Sequence, residues 1–436
     1  MTNIIREIAK DFYPFVEKER NPCNSACPYD TLFAYKIQVS FCHGFIESQE
    51  NRKDMKISVL GYGTVGVGVC AMLEAAPGLE LRYVLVRPGK ADKPFKVTTI
   101  EEICADPETD AVAEVMGGVE PAFSYVSAAL RAGKHVVTSN KALVAAHGPE
   151  LAALAAEKGV GFLFSAACGG AVPFLHNLAL AAESDRIVSI GGILNGTTNF
   201  MLDGMQRRGM EYAEALKEAQ FLGYAEADPT ADVSGLDALR KIMLGCAVAY
   251  DKLPCEGFSL EGIESVTAAD VRHFQAKGLV LRLLVSGGES ENGALYAFVQ
   301  PCLLPASSPE ASVLNNFNMA KYRGENAGDI ILIGQGAGRF PTASAVVRDV
   351  SDILHGRREM MKSSCVRVAA DNSVVKKRYY VRLPEACADS LPFTEKELDG
   401  DTVRGVTEEM AVTEMHAKAK ALRLGGAAVF FAAMEG

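Results

Sequence analysis

Between Gly223 and Lys241 the chain reads GYAEADPTADVSGLDALRK, with four carboxylates (Glu226, Asp228, Asp232 and Asp237) ahead of one lysine. Asp237 and Lys241 are four residues apart, so on a helix they project from one face, one turn apart. On a solvated helix such a pair adds only a few tenths of a kcal/mol, but Leu236, Leu239, Ile242 and Met243 leave little polar face here. The pattern therefore predicts a buried acid and lysine that face each other or a ligand. A desolvated lysine is expected to have its pKa lowered, which suits it to deliver a proton to oxygen as charge develops there.

The elements that must position this pair can be read on either side of it. From about Val233 the run LDALRKIMLGCAVAY predicts a largely buried helix, entered through Asp232 or Ser234 as N-cap. Upstream, Gly191 to Phe200 (GGILNGTTNF) reads as a turn-rich loop whose small polar groups can approach a ligand closely, and Met201 to Ala219 reads as a helical linker.

A second site is written near the start of the patterned chain. Lys56 to Leu60 (KISVL) predicts a strand running into Gly61, Tyr62, Gly63, Thr64, Val65 and Gly66 and then a helix, the dinucleotide fingerprint in the context it requires. The glycines permit the tight turn and close backbone approach, and the helix N-terminus offers free amides to a pyrophosphate. The following strand, Leu81 to Val86, ends at Arg87 and not at an acid. Arg87, with Lys90 nearby, suits the 2′-phosphate of NADP, with NAD left open. Strands at Ala111 to Met116, closing on Gly117 and Gly118, and at Lys134 to Thr138, closing on Ser139, Asn140 and Lys141, bring further ends to the same edge. Late in the chain, Gly334 to Asp349 (GQGAGRFPTASAVVRD) again places glycines before a helix.

NGTTNF followed, after a helical linker, by GYAEADPTADVSGLDALRK resembles the substrate domain of the homoserine dehydrogenase family, and the resemblance runs from about Lys56 to Leu354. It implies an α/β fold: a Rossmann-type doubly wound dinucleotide-binding domain, an α+β substrate and dimerisation domain with an open mixed sheet, and a short C-terminal α+β segment of degenerate ACT-like pattern. The expected divisions are residues 1–54 as a poorly ordered extension, 55–186 as the dinucleotide domain completed by about 335–360, 187–334 as the substrate domain, and 361–436 as the C-terminal segment. The implied activity is interconversion of L-aspartate 4-semialdehyde and L-homoserine with NAD(P), in threonine, methionine and isoleucine biosynthesis, by a homodimer.

The resemblance also assigns roles. Lys241 becomes the proton donor, Asp237 holds it or binds the substrate hydroxyl, and the SNKAL-type turn brings Lys141 to the nicotinamide. Glu226 matches the position that engages the substrate ammonium, with Asp232, Thr197 and Tyr224 as further substrate contacts. Gly117 and Gly338 become backbone contacts to the cofactor. The loop Ser165 to Pro173 (SAACGGAVP) matches one that holds a monovalent cation such as Na+ through the carbonyls of Ser165, Cys168, Gly170 and Val172; many relatives have Glu where this chain has Ser165. Two departures stand out: the 54 residues ahead of the first strand, and a C-terminal segment without the Asp-x-Pro-Gly turn of an ACT module.

Composition bounds the rest. At 436 residues and 49% hydrophobic, with no apolar run of about 18 residues, the chain predicts no membrane span. A net charge of −10 and the lack of a basic run disfavour nucleic acid as partner. Eleven cysteines without framework spacing fit reduced thiols and a cytoplasmic enzyme, and Cys23, Cys27, Cys42 and His43 lack zinc-ligand spacing. Past residue 360 the pattern predicts a strand (Arg378 to Leu383), an acidic proline-containing connection, a helix (Ala411 to Leu422) and a strand (Ala427 to Ala433). Two rival functions remain: another aspartate-pathway reductase, for which Cys168 would have to be nucleophilic, and a catalytically silent NAD(P)-binding regulator.

Overall fold

The computed structural model describes residues 54–90 and 95–435. The expected N-terminal extension, with Cys23, Cys27, Cys42 and His43, lies outside the described residues up to position 53.

KISVL and its neighbours are apolar on both faces, as strands of a covered parallel sheet must be. Six such strands form: β1 (Met55–Leu60), β2 (Leu79–Leu85), β3 (Lys96–Val97), β4 (Ala111–Glu114), β5 (His135–Thr138) and β6 (Phe162–Leu163). They are all parallel and run in the order β3-β2-β1-β4-β5-β6, the doubly wound order of dinucleotide-binding sheets. Four helices fill the crossovers, α1 (Thr64–Leu73), α2 (Ile100–Ala105), α3 (Ala122–Arg131) and α4 (Lys141–Lys158). After α5 (Phe174–Ala182) the chain leaves this sheet, and it returns only with α11 (Arg339–Leu354). That helix lies against α1 so closely that a Cβ on Gly68 would stand 2.9 Å from Arg339 Cγ and 3.1 Å from Ala343 Cβ.

The excursion builds a second sheet. Its strands are β7 (Ile187–Ile193), β9 (Ser259–Leu260), β10 (Leu279–Glu289), β11 (Leu295–Pro305), β12 (Phe317–Gly324) and β13 (Gly328–Gln335). The long hairpin β10–β11 is antiparallel without slip from Leu279↔Pro305 to Glu289↔Leu295. β7 follows β10 in the sheet, then β12, with β13 at the edge. Helices α6 (Gly196–Arg208), α7 (Tyr212–Phe221), α8 (Thr230–Val233), α9 (Leu236–Tyr250) and α10 (Ala268–Ala276) belong to the same excursion. α9 buries eleven of its fifteen residues, which is why its sequence is apolar nearly all round. A small pairing of β8 (Lys252–Glu256) with β14 (Val366–Ala369) leads toward the C-terminal segment.

That segment differs from its sequence pattern. The stretch read as an acidic connection holds two strands, β17 (Phe393–Asp399) and β18 (Thr402–Thr407), between β16 (Tyr379–Pro384) and α12 (Val412–Leu424). β17 is exposed along nearly its whole length, so neither face imposed an apolar alternation that could be read. With β20 (Phe430–Met434) the four strands lie in the order β20-β16-β18-β17, all antiparallel. This is the split βαβ order, with the first helix reduced to a 3-10 turn at Glu385–Ser390. The short pair β15 (Lys376–Lys377) and β19 (Met410–Ala411) lies beside it. β20 also pairs in parallel with β11 at Cys302↔Ala433 and Leu303↔Met434, so the C-terminal strands prolong the second sheet. Tyr379, Phe431 and Met415 share one core with Ile193, Leu284 and Met319. The described cysteines are all unpaired. Among the described residues no helix is long and apolar enough to cross a membrane.

Candidate active site at the junction of the two sheets

NGTTNF is a helix start and not a loop. Asn195 caps α6, its side-chain oxygen accepting from Thr198 N at 2.8 Å, and Gly196, Thr197, Thr198, Asn199 and Phe200 form the first turns. The entry to α9 also departs from the expected side-chain cap. Its N-cap is Gly235, with φ +82°, where a Cβ would stand 3.0 Å from Leu260 Cδ1 and 3.1 Å from Val299 Cγ1. Glycine makes the turn, so Asp232, in α8, is free to do something else.

What Asp232 does is face Asn195. The Asn195 amide nitrogen donates to Asp232 Oδ1 at 2.7 Å and to Asp237 Oδ2 at 2.9 Å. Asp237 also holds Lys241 Nζ at 2.8 Å on Oδ2 and Lys141 Nζ at 3.1 Å on Oδ1. Lys241 Nζ donates in addition to Leu194 O at 2.6 Å. Two lysines and two aspartates thus form one electrically balanced cluster. Its members come from α4, α8 and α9, at the place where the parallel sheet meets the second sheet.

The electrostatics correct one expectation. Burial pushes the Asp237 carboxyl up, but Lys241, Lys141 and the hydrogen bonds outweigh it and hold the group well below the usual carboxylate range. Burial pushes the Lys241 ammonium down, yet Asp237, with smaller contributions from Cys168 and Asp232, raises it above the ordinary lysine value. The expected lowering fails because the desolvated lysine sits on a carboxylate; Lys241 is an ammonium at neutral pH, the form that can give a proton away. Asp232 is raised, by burial first and by the Asp237 charge against the Asn195 hydrogen bond. Cys168 Sγ lies 3.9 Å from Lys241 O, and burial pushes its thiol up to about 12, the reverse of an activated nucleophile.

The remaining substrate candidates divide. Thr197 is buried, and its hydroxyl donates to Tyr224 O at 2.7 Å, drawing the Gly223 turn over the start of α6. Tyr224 is 39% exposed, with its ring edge-on to Phe200. Glu226 is exposed on the same turn and makes no side-chain hydrogen bond to the buried cluster among the described residues. The structure therefore brings Lys241, Asp237, Lys141 and Asp232 together and leaves Glu226 outside.

At the end of the parallel sheet, Gly61 takes φ +103°, and a Cβ on Gly66 would stand 2.1 Å from Gly61 O. Gly63 has nothing within 4 Å of a built Cβ and caps α1 with no side-chain hydrogen bond, and it and Thr64 are exposed while Gly66 is buried, so the N-terminus of α1 carries no side-chain cap. Gly117 is equally open, and Gly338, φ +129°, is the N-cap of α11. Arg87 and Lys90 are exposed beyond β2. These residues fit a dinucleotide: a helix N-terminus without a side-chain cap for the pyrophosphate, cations beyond β2, and Lys141 at the start of α4 facing Asp237.

Sequence reasoning missed two buried polar residues here. One is Asn195, whose NGT context could announce a cap but not the direction of its amide. The other is Glu114, fully buried at the end of β4. It accepts from Met116 N at 2.7 Å and from the Thr138 hydroxyl, and Thr138 Oγ1 in turn accepts from Asn140 N at 3.0 Å. Burial pushes this carboxyl up to about 7 against those hydrogen bonds.

In the loop expected to hold a cation, Ser165 O accepts from Cys168 N and Val172 O from Phe174 N. Ser165 N and its hydroxyl both donate to buried Asp349 of α11, so the side chain is committed elsewhere. Gly170 takes φ +53° against Gly336, and Ala171 N donates to Gln335 O.

Comparison with known proteins adds an independent line. A family model described as homoserine dehydrogenase matches residues 173–351, and one described as homoserine dehydrogenase, NAD binding domain, matches residues 61–165. The homoserine dehydrogenase of Synechocystis sp. is 41% identical over 321 residues, spanning 69% of this chain and 73% of the relative. That of Bacillus subtilis is 38% identical over 322 residues, spanning 70% and 74%. Among solved structures, a homoserine dehydrogenase from Thiobacillus denitrificans superposes with a TM-score of 0.77 at 31% identity, covering 87% of this chain and 98% of that one. A hyperthermophilic archaeal homoserine dehydrogenase mutant in complex with NADPH gives a TM-score of 0.61 at 27% identity, covering 70% and 99%.

Proposed function

This chain belongs to the homoserine dehydrogenase family, oxidoreductases acting on the homoserine hydroxyl, and on that premise we propose that Lys241, Asp237 and Lys141 form its reacting centre. The observation that carries this reading is the single carboxylate of Asp237 holding both ammonium groups, at 2.8 and 3.1 Å, where the dinucleotide sheet meets the substrate sheet.

Gly61, Gly63, Gly66 and Gly117 would hold a nicotinamide dinucleotide, which when bound would supply or accept the hydride. The residues of the chain do the rest. In the reducing direction Lys241 gives a proton to the oxygen of the aldehyde as its charge develops, and Asp237 keeps that lysine charged and aimed. Lys141, half exposed at the start of α4, holds the same oxygen from the cofactor side and stabilises the charge. The substrate ammonium lies by Asp232, whose second carboxylate oxygen has no hydrogen bond among the described residues, with Glu226 closing from the exposed turn. The substrate carboxylate meets the amides of Gly196 and Thr197 at the N-terminus of α6.

NADP is the preferred dinucleotide in this reading, supported by Arg87 and Lys90 where an NAD-specific acid would stand. A monovalent cation such as Na+ in the Ser165–Val172 loop belongs to this reading, supported by the Cys168 and Gly170 carbonyls, which have no backbone partner among the described residues, while those of Ser165 and Val172 each already accept one backbone N–H. A homodimer is supported by β13, an edge strand with Ile333 54% exposed, while the opposite edge, β17, is blunted by Glu395, Lys396, Glu397 and Asp399. Unpaired cysteines support a cytoplasmic location.

The test is absorbance of reduced nicotinamide with purified protein, homoserine and either NADP or NAD. Homoserine-dependent reduction, faster with NADP, is expected; folded protein that binds the dinucleotide yet reduces neither would favour the silent-regulator reading.

A further inference from the structure

Asn195 is only 4% exposed, and both ends of its side-chain amide have hydrogen-bond partners. Its oxygen accepts from Thr198 N at 2.8 Å and from Thr198 Oγ1 at 3.0 Å, which fixes the orientation of the amide. Its nitrogen then points both hydrogens at carboxylates, Asp232 Oδ1 at 2.7 Å and Asp237 Oδ2 at 2.9 Å. Without such a donor, two aspartates this close repel each other, and Asp232 has no lysine of its own among the described residues. Asn is the side chain that fits. Ser or Thr caps α6 but cannot donate twice, and Asp caps it but offers a third negative charge.

We propose that Asn195 is a positioning residue that sets substrate length: by tying Asp232 to Asp237 it fixes the span between the group holding the substrate ammonium and the group holding the reacting oxygen. The inference rests on the roles given to Asp232 and Asp237 above. That span selects 2-amino acids whose hydroxyl stands on C4 over those carrying it one carbon nearer or farther. The donor bridge is rigid because α6, α8 and α9 each contribute one end of it and are themselves held. Thr197 fastens the start of α6 to Tyr224 O, Ile263 N donates to Val233 O at 2.8 Å beside α8, and Gly235 locks the entry to α9.

The experiment compares wild type with Asn195→Ser and Asn195→Asp, both of which keep a helix-capping oxygen. Four readouts are taken: dinucleotide affinity, Tm, kcat and KM for homoserine and for 5-hydroxynorvaline, and the profile of kcat/KM from pH 6 to 10. For Asn195→Ser, Tm and dinucleotide affinity stay near wild type, while kcat/KM for homoserine falls about 10–100-fold, the scale of a small misplacement of reacting groups. The preference for homoserine over 5-hydroxynorvaline narrows by at least about tenfold, since the span is no longer fixed.

In Asn195→Asp the new carboxyl faces Asp232 from α8, Asp237 and Lys241 from α9, and Lys141 from α4, with the high-pKa thiol of Cys168 nearby. Only its protonated form donates, so activity relative to wild type is highest at the acid end and is lost as pH rises. Either variant with wild-type kcat/KM and an unchanged substrate ratio overturns the proposal. So does an equal loss on both substrates accompanied by a fallen Tm, which marks a structural role alone. A wild-type protein inactive on homoserine overturns the functional reading, and the proposal with it.

Discussion

Glu114 offers a test of the electrostatics that needs no substrate. The residue is fully buried at the end of β4, and burial raises its carboxyl from an ordinary 4.5 to about 7. A raised acid binds its proton more tightly in the folded state than in the unfolded one. Below pH 4.5 both states are protonated and the group contributes no pH dependence. Between 4.5 and about 7 the unfolded chain releases the proton and the folded chain keeps it, so stability falls as pH rises; above about 7 the loss is complete. The shift corresponds to about 3 kcal/mol. At roughly 2.1 cal/mol/K of unfolding entropy per residue, that is about 4 °C in Tm for a body of this size. Glu114→Gln keeps the acceptor for Met116 N and removes the titration, while leaving the Thr138 hydroxyl hydrogen without a partner at a cost of about 1 kcal/mol. The variant should therefore be slightly less stable than wild type at pH 4.5 and more stable at pH 8. Thermal melts of both proteins across that range read the difference, in which all other titrations cancel. Curves that stay parallel would refute the reasoning, because they would mean that Glu114 releases its proton at the same pH in both states.

Lys241→Ala should lower turnover by about 10²–10⁴-fold while dinucleotide binding, followed by fluorescence titration, stays near wild type; near-normal turnover would remove Lys241 from the reaction. Gly66→Ala places a Cβ 2.1 Å from Gly61 O and should abolish tight dinucleotide binding, with a loss of about 1–3 kcal/mol in stability seen by denaturant melts. Arg87→Ala should raise the KM for NADP about tenfold and leave that for NAD nearly unchanged, as befits one lost charge-assisted contact; equal effects on both cofactors would place Arg87 away from the 2′-phosphate.

The chemistry was more legible in the sequence than the architecture that presents it. Asp237 and Lys241 announced themselves by spacing on an apolar helix, and the GYGTVG turn by its strand and helix context, because both signals are local. What failed to show was set by tertiary contact. Gly235 could be recognised as a cap only once Leu260 and Val299 were seen to close on it. Asp232 looked like a helix cap until Asn195 claimed it. Lys241 looked like a lysine of lowered pKa because sequence shows desolvation but not the distance to Asp237, and at 2.8 Å that ion pair prevails. β17 left no trace because an exposed edge strand has no face to bury.

The two sides of the dinucleotide fold are made far apart in time. α1 and the helix that packs on it, α11, are separated by roughly 270 residues, so a ribosome working at about 5–20 residues per second leaves α1 uncovered for about 15–55 s. During that interval the whole second sheet up to β13 is produced. An α1 surface bare enough to admit Arg339 and Ala343 against Gly68 is, for the nascent chain, an open apolar groove. The parallel-sheet half can thus become complete only after the strands of the second sheet up to β13 have emerged, and a truncation that removes α11 should damage the half of the molecule it is farthest from in sequence.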